Sequence, residues 1–251
     1  MAVSPLYDYT LRLADNALIL GHRLSEWIGH APVLEEELAL GNIALDLIGE
    51  ARALYAYAGS VEGKGRDEDA LAYLRDAREF RNVLLVEQPN GDFAATIVRQ
   101  ALYAAFVYPL WRALAASKDK TLAAIAAKAE KEAAYHLRHS AEWIIRLGDG
   151  TTESHRRAQA ALDQLWPYTG ELFEVDPIEE SLIANGVAVD PRTLQSEWNH
   201  TLDDCLAQAT LDRPSNRWMQ TGGRRGRHSE HLGHLLATMQ FLQRAYPGAT
   251  W

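Results

Sequence analysis

The sequence predicts an all-α fold, and three observations support this prediction. Apolar residues recur at spacings of three and four along most of the chain, which places their side chains on one face of a helix. Strand patterns of alternating polarity are weak throughout, and no internal repeat occurs at a fixed period. Four long helical patterns fill residues 1–147, so we expect a ferritin-like four-helix bundle core with additional C-terminal helices.

The first two helices are predicted near residues 6–28 and 34–58, and Pro32 breaks the pattern between them. One face of each helix is expected to meet the core. In the first helix this face comprises Tyr9, Leu13, Asn16, Leu20, Leu24 and Trp27. In the second helix it comprises Leu38, Asn42, Leu45, Gly49, Ala53 and Ala56. A short helical pattern follows near residues 69–81.

Helix three is predicted to begin after Asp92, a suitable N-cap, and Pro109 is expected to kink or break it. Helix four covers residues 119–147 and ends at a glycine-rich turn, Gly148-Asp149-Gly150. The core face of helix three comprises Ile97, Gln100, Ala104, Val107, Trp111 and Leu114. The apolar stripe of helix four comprises Leu122, Ile125, Ala129, Ala133, His136, Ser140, Trp143 and Leu147.

The last hundred residues predict further helices, near 152–173, 177–185, 191–213 and 227–245. Pro177 and Pro191 directly follow aspartates, as prolines in the first turn of a helix commonly do. We therefore expect a single domain over residues 1–251. In it, a core bundle of residues 1–150 carries a C-terminal helical extension of residues 151–251 packed on it.

Composition restricts the partners and the compartment that we expect. The formal net charge of −9 argues against a nucleic-acid partner and against binding to an anionic membrane, because both need a basic surface. The N-terminus shows no secretory signal, and the longest strongly apolar stretch, residues 101–111, is too short to span a membrane. Cys205 is the only cysteine and cannot form an internal disulfide, so we expect a cytoplasmic protein.

Helix four lacks a metal ligand at the position where a metal site would need one. In ferritin-like carboxylate bundles, two helices each supply a Glu and two others each supply Glu-x-x-His, all pointing inward. His136 occupies the inward histidine position, but Ala133 stands three residues before it. This pattern suggests an oxygenase-type bundle that has lost its metal and acts as a partner rather than a catalyst.

The other predicted core faces also lack metal ligands. They offer Asn16, Asn42 and Gln100, and amides bind iron or manganese weakly. Asp46 is the nearest carboxylate on helix two, but Gly49 follows it three residues later. Two interpretations stay open: buried polar side chains that bond to one another in place of a lost metal, or a degenerate metal site at Asn16, Asp46, Gly49, Ala133 and His136.

One literal Glu-x-x-His motif occurs at Glu197 and His200, although a di-metal site needs two such motifs. The densest local chemistry lies in TGGRRGRHSEHLGH, residues 221–234. There Arg224, Arg225 and Arg227, with His228, could contact an anion or a protein partner. His228, His231 and His234 recur every three residues, but one helix rarely supplies a complete metal site.

The chain resembles the C subunits, of the PaaC type, of the bacterial ring-1,2-phenylacetyl-CoA epoxidase of phenylacetate degradation. The resemblance extends essentially from end to end. It includes LRLADNALILGHRLSEWIGHAPVLEEELALGNIALDLIGEAR, NVLLVEQPNGDFAATIVRQ, KEAAYHLRHSAEWIIRLGDG, VAVDPRTL and TGGRRGRHSEHLGHLLATMQFLQRAYPG. Such long shared segments are more specific than any short motif.

The resemblance implies a noncatalytic structural or regulatory subunit that pairs with a homologous catalytic A subunit. That A subunit is expected to hold a di-iron centre and to bind phenylacetyl-CoA, while a reductase subunit holds flavin and an iron–sulfur cluster. The catalytic motif has the form Lys-Glu-Glu-x-x-His, and the matching run here is Lys131-Glu132-Ala133-Ala134-Tyr135-His136. The resemblance therefore implies no catalytic or metal residue and no cofactor in this chain.

Two alternatives stay open beside this hypothesis. The first is a stand-alone di-metal oxidase that uses Glu197, His200 and the histidines at 228–234. The second is a helical module for an anionic ligand such as a CoA phosphate, which would use Arg224, Arg225 and Arg227.

Overall fold

A computed structural model describes residues 4–215 and 218–249 of the chain, and these residues form eleven α-helices and no strand. The all-α prediction is confirmed, with 73% of the chain helical. Residues 1–3 lie outside the described part. They belong to the N-terminal segment in which we expect no secretory signal. The helices are α1 (Pro5–Ser25), α2 (Leu34–Glu62), α3 (Glu68–Tyr73), α4 (Leu84–Glu87), α5 (Phe93–Leu114), α6 (Lys120–Gly148), α7 (Thr152–Leu165), α8 (Pro177–Ala184), α9 (Gln195–Gln208), α10 (Glu230–Met239) and α11 (Phe241–Ala245).

The chain divides into two compact units. One unit, here called the terminal unit, combines the chain up to Pro89 with the segment from Gly222 onward. The other, the central unit, covers Asn90–Thr221. The C-terminal segment thus belongs to the same compact unit as α1 and α2, whereas α5 and α6 belong to the other. The single domain with a boundary at residue 150 stays a prediction.

In the terminal unit, α1 and α2 run antiparallel and pack closely. A Cβ at Gly21 would lie 3.1 Å from the Ile48 side chain and 3.2 Å from the Ala44 carbonyl oxygen, so the glycine permits this close approach. α1 is buried on almost every side, as the predicted core residues Leu13 and Leu20 show. It ends at Ser25, three residues earlier than predicted.

The predicted core face of α2 is wrong. Leu38 and Leu45 are 60% and 67% exposed, and Gly49 on the same side is exposed as well. The opposite face is buried instead, and it includes Leu40, Ile43, Ala44, Leu47, Glu50, Leu54 and Tyr55. Apolar residues occur on all sides of this helix, so its periodicity does not distinguish the two faces.

In the central unit, the side chains of Asp92 and Asp119 cap α5 and α6, and the cap at Asp92 was predicted from the sequence. The predicted core face of α5 is buried, and the helix continues through Pro109 without a break. On α6, Leu122, Ala133 and Ser140 are buried, while other stripe residues such as Trp143 are half-buried.

The later helices are shorter than predicted. Trp166–Tyr168 and Gly170–Phe173 form 3₁₀ turns rather than a continuation of α7, and Pro191–Leu194 forms another before α9. α10 begins at Glu230, three residues later than predicted. Trp198 on α9 donates a hydrogen bond from Nε1 to the Leu102 carbonyl oxygen of α5 at 3.0 Å.

α5 is the one helix among residues 4–215 and 218–249 that is long and apolar enough to cross a membrane. Its most apolar stretch is 83% buried within the protein, as the central helix of a globular domain is.

Candidate functional site

Ala133 and His136 both lie on the buried side of α6, as predicted. Each is 3% exposed. Ala133 contributes a methyl group where a metal-binding helix would present a carboxylate, and the His136 ring makes an edge contact with Tyr135. The helix buries a second imidazole, His139, as well, but it lacks the carboxylate three residues before His136 that a di-metal site needs.

The remaining predicted positions have other surroundings. Asn16 is buried, and its side-chain oxygen accepts a hydrogen bond from the backbone N–H of Val83 at 2.8 Å. It therefore holds the segment that leads into α4. Gly49 is exposed, so its predicted place on the inward face of α2 is wrong, and Asp46, predicted as the nearest carboxylate on that helix, is half-buried. Gln100 is buried on α5.

These residues do not fit a di-iron centre. No group of three or more His, Cys, Asp or Glu side chains close enough to hold a metal ion occurs in the described parts of the chain. Several buried carboxylates were not predicted from the sequence: Asp15, Glu50 and Glu87 in the terminal unit, and Glu171 and Glu179 in the central unit. For Asp15 the sequence did offer a signal, because this carboxyl group lies among mostly apolar residues of the first helix.

Asp15 is the centre of a buried polar network in the terminal unit. It is fully buried and forms a bidentate ion pair with Arg75, which is itself 2% exposed. The hydroxyl of Tyr55 donates to Asp15 Oδ1 at 2.5 Å, and the backbone N–H of Arg81 donates to Oδ2 at 2.6 Å. Burial, then the negative charge of Asp15, holds the pKa of Tyr55 well above its usual value.

Glu87 and His228 form a second buried pair in the same unit. His228 Nδ1 lies 2.7 Å from Glu87 Oε2, and His228 Nε2 lies 3.0 Å from the carbonyl oxygen of Phe80. Both of these oxygens suit a ring nitrogen that donates, and although burial opposes it, these contacts raise the pKa of His228. The other Glu87 oxygen accepts from the backbone N–H of Ser229 at 2.6 Å. These contacts anchor the His228 ring within the protein, and the prediction that His228 contacts a ligand or a partner stays a prediction.

The glycines of the segment 221–234 serve close packing within the protein. A Cβ at Gly223 would lie 2.2 Å from the carbonyl oxygen of Asn82, and a Cβ at Gly226 would lie 2.3 Å from that of Arg78. Gly226 also has a φ of +73°, which disfavours other residues. The backbone that these glycines approach closely is therefore that of the protein's own chain.

Three arginines surround an open depression of about 570 Å³ beside this segment. Arg225 and Arg227 come from the predicted basic segment, and Arg78, which was not predicted, comes from the turn Ala77–Glu79. Arg224 is half-buried and does not line the depression. The prediction that this segment contacts an anion or a partner stays a prediction.

The Glu197 and His200 pair lies on the surface of the central unit. Glu197 accepts a hydrogen bond from Arg112 at 2.6 Å, and the side chain of His200 is 77% exposed beside Asp204. The histidines at 228, 231 and 234 belong to the terminal unit. Cys205 is buried, and burial raises the pKa of its thiol to about 11, so it is a poor nucleophile.

Comparison with known proteins extends these observations to the whole chain. Residues 1–251 match the family described as phenylacetic acid catabolic protein. The chain is also 52% identical over 249 residues to a protein of Escherichia coli strain K12 that is named as the C subunit of 1,2-phenylacetyl-CoA epoxidase. The match covers 99% of this chain and 100% of that protein. The chain belongs to the phenylacetic acid catabolic protein family.

Proposed function

We propose that this chain is a noncatalytic structural or regulatory subunit of the multicomponent oxygenase that epoxidises the aromatic ring of phenylacetyl-CoA. In this proposal it pairs with a homologous catalytic A subunit and stabilises it in the cytoplasm. The di-iron centre belongs to that partner, and flavin and an iron–sulfur cluster belong to a reductase. The name of the Escherichia coli relative supports the reaction and the assembly.

The observation that carries the noncatalytic assignment is the pair Ala133 and His136. A buried methyl group stands where the catalytic motif requires a carboxylate, one turn before a histidine that is still buried. Iron that reacts with dioxygen needs several anionic oxygen ligands to balance its charge. The absence of a carboxylate three residues before the buried His136 on α6 favours a role in holding a partner over a role in oxidation.

The exposed face of α2 supports the pairing. Leu34, Leu38 and Leu45 are 60–67% exposed and lie at helical spacings on one side. A Cβ at Gly41, between Leu38 and Leu45, or at Gly49, one turn after Leu45, would meet no atom within 4 Å. The helix surface therefore has gaps beside the leucines. An exposed apolar strip with gaps of this kind can receive the side chains of a second helix, as in ridges-into-grooves packing.

Iron content per chain tests the noncatalytic assignment. The purified protein is incubated anaerobically with ferrous iron, desalted and analysed by plasma emission. We expect close to no iron to be retained. Close to two irons per chain would show a di-metal site and would shift support to the stand-alone oxidase.

Co-purification tests the pairing. The chain is co-expressed with the tagged catalytic A subunit, either unchanged or carrying both Leu38→Glu and Leu45→Glu. We expect the double variant to stay folded alone but to lose the partner, because two charges would be buried without counter-charges. Leu74→Glu, at an exposed leucine outside α2, is the matched control and should retain the partner. Equal recovery of all three proteins would contradict the use of this face.

A further inference from the structure

The strongest unexplained feature of the molecule is the basic depression in the terminal unit, lined among others by Arg78, Arg225, Arg227, His228 and Gly233. Its positive charge contrasts with the net charge of −9 of the whole chain. Three arginines and one carboxylate, Glu230, line it, and the charge of His228 is balanced by Glu87. Arginines therefore outnumber carboxylates in the lining of the depression.

Two of these arginines are available to a ligand. Arg78 and Arg227 are exposed, and no ion pair to either is found within the described ranges. Exposed arginines in proteins commonly take a nearby acidic partner, as Arg52 takes Glu68 in the same unit. A guanidinium group donates several hydrogen bonds in one plane and suits the oxygens of a phosphate.

The backbone around the depression is held in place before any ligand arrives. His228 is fixed by Glu87 and by the Phe80 carbonyl oxygen, and Gly226 packs against the Arg78 carbonyl oxygen. α10 begins directly after the depression with Ser229 as its N-cap, so the positive end of the helix dipole adds to the arginines. Ser229 Oγ is buried and has no hydrogen-bond partner among the residues that the structure describes.

A second depression of about 510 Å³ adjoins the first and is more apolar. The two share Ala77 and Gly233 in their linings. A Cβ at Gly233 would meet no atom within 4 Å, so no side chain separates them there. Leu236, Ala237 and Phe241 line the second depression, and Phe241 is 61% exposed.

We propose that these two depressions form one site for a small organic phosphate, with the phosphate between Arg78 and Arg227 and an apolar group of the same molecule over Leu236 and Phe241. The site is distinct from the exposed face of α2 and does not depend on the proposed function. The chemistry that recognises the ligand is a dianionic phosphate ester joined to an apolar or aromatic group. Arginines supply the charge-assisted hydrogen bonds, and the apolar floor supplies burial for the second group.

Binding of three probes to the full-length chain at low salt tests the proposal by calorimetric titration. The probes are 1-naphthyl phosphate, inorganic phosphate and 1-naphthol, which carry both groups, the phosphate alone and the apolar group alone. We expect 1-naphthyl phosphate to bind at least about tenfold more tightly than either of the others, since each end adds affinity. No binding of 1-naphthyl phosphate at about 10 mM would overturn the proposal.

A double variant tests whether Arg78 and Arg227 bind the phosphate group. Arg78→Gln with Arg227→Gln should weaken binding of 1-naphthyl phosphate by at least about tenfold, because two charge-assisted hydrogen bonds are lost. Arg52→Gln with Arg192→Gln also removes two exposed arginines and is the matched control, with an expected change below about twofold. Equal weakening in both double variants would show unspecific attraction and overturn the site.

Gly233→Leu fills the junction between the two depressions on an exposed helix face, where the new side chain has room. It should weaken binding of 1-naphthyl phosphate at least about fivefold while leaving the weak binding of inorganic phosphate within about twofold. An unchanged affinity for 1-naphthyl phosphate would contradict the apolar half of the site. The thermal unfolding midpoint of each variant confirms that it is folded.

Discussion

His228 and Glu87 form a buried ion pair between residues 141 positions apart in the sequence, with 2.7 Å between Nδ1 and Oε2. The side chain of His228 is 5% exposed and that of Glu87 is fully buried. The pair joins the segment before α10 to α4, and so connects the C-terminal part of the terminal unit with its N-terminal part. A buried pair of this kind is costly to break, because the remaining charge is left without a partner.

The pair predicts a pH dependence of stability. Burial alone would lower the pKa of His228, but the hydrogen bond and the charge of Glu87, with the Phe80 carbonyl oxygen, raise it above its ordinary value of 6.5. A raised pKa in the folded state stabilises the protein fully below pH 6.5, and this contribution is lost as the pH rises through the raised value. The free energy of unfolding, measured by urea titration from about pH 5 to about pH 9, should therefore decline at its upper end.

His228→Gln separates this contribution from other titrations. We expect a loss of about 3–5 kcal/mol at acidic pH and a smaller loss at alkaline pH, since the unchanged protein then loses the pair as well. His234→Gln, at an exposed histidine of the same segment, is the control. A difference between His228→Gln and the unchanged protein that stays constant with pH would contradict the protonated imidazole.

The Asp15 network predicts a large effect of one substitution at Arg75. Arg75→Met leaves the fully buried Asp15 without its counter-charge, so we expect the free energy of unfolding to fall by about 3–5 kcal/mol. Tyr55→Phe removes one hydrogen bond to the same carboxylate and should cost about 1–3 kcal/mol. Arg192→Met removes an exposed pair with Asp190 and should leave the free energy of unfolding nearly unchanged, because solvent screens such pairs. Similar losses for Arg75→Met and Arg192→Met would rule out a stabilising role of the network.

Helix positions are predicted best from the sequence where a helix has one apolar face or a clear cap. α6 has one apolar stripe and begins after Asp119, whereas α5 is buried on almost every side but has a clear cap at Asp92. Both helices lie close to the predicted bounds. α2 has apolar residues on every side, so the choice between the Leu38 face and the Ile43 face needs the packing partner, α1. Its predicted core face is therefore the exposed one.

The polar interior could not be predicted from spacing along the chain. Glu87 and His228 meet across 141 positions, and Asp15 and Arg75 meet across 60. No local pattern marks such pairs, because helical periodicity relates only residues three or four positions apart. The same limit explains why Arg78 was not predicted beside Arg225 and Arg227: the turn that carries it approaches them only in the folded chain.

The glycines predict opposite effects at two positions. Gly226→Ala places a Cβ 2.3 Å from the Arg78 carbonyl oxygen at a φ of +73°, so we expect a loss of more than about 1 kcal/mol in the free energy of unfolding. Gly49→Ala lies within α2 with open space around its Cβ, so we expect a gain of about 0.5–1 kcal/mol. Urea denaturation of the three proteins measures both changes. A neutral Gly226→Ala variant would show that the segment is not tightly packed on Arg78.

Ala133→Glu restores the missing carboxylate of the α6 motif and provides the sharpest test of the metal hypothesis. We expect no oxygen consumption and no retained iron after anaerobic loading, because one carboxylate and one histidine do not complete a di-metal ligand set. Gln100 on α5 offers only an amide, and Asp46 and Gly49 on α2 are not buried. We also expect a loss of about 2–5 kcal/mol in stability, since Ala133 is 3% exposed and the new carboxyl group is buried.

Ala127→Glu is the matched control, because residue 127 lies on the exposed side of the same helix. It adds the same charge to α6 without burying it, so its stability should change by less than about 0.5 kcal/mol. Oxygen uptake is followed with an electrode after addition of ferrous iron and a reductant, beside the iron content of both variants. Iron-dependent oxygen uptake by Ala133→Glu and not by Ala127→Glu would mean that the interior already holds the other ligands of a metal centre, and that loss of one glutamate accounts for the loss of catalysis.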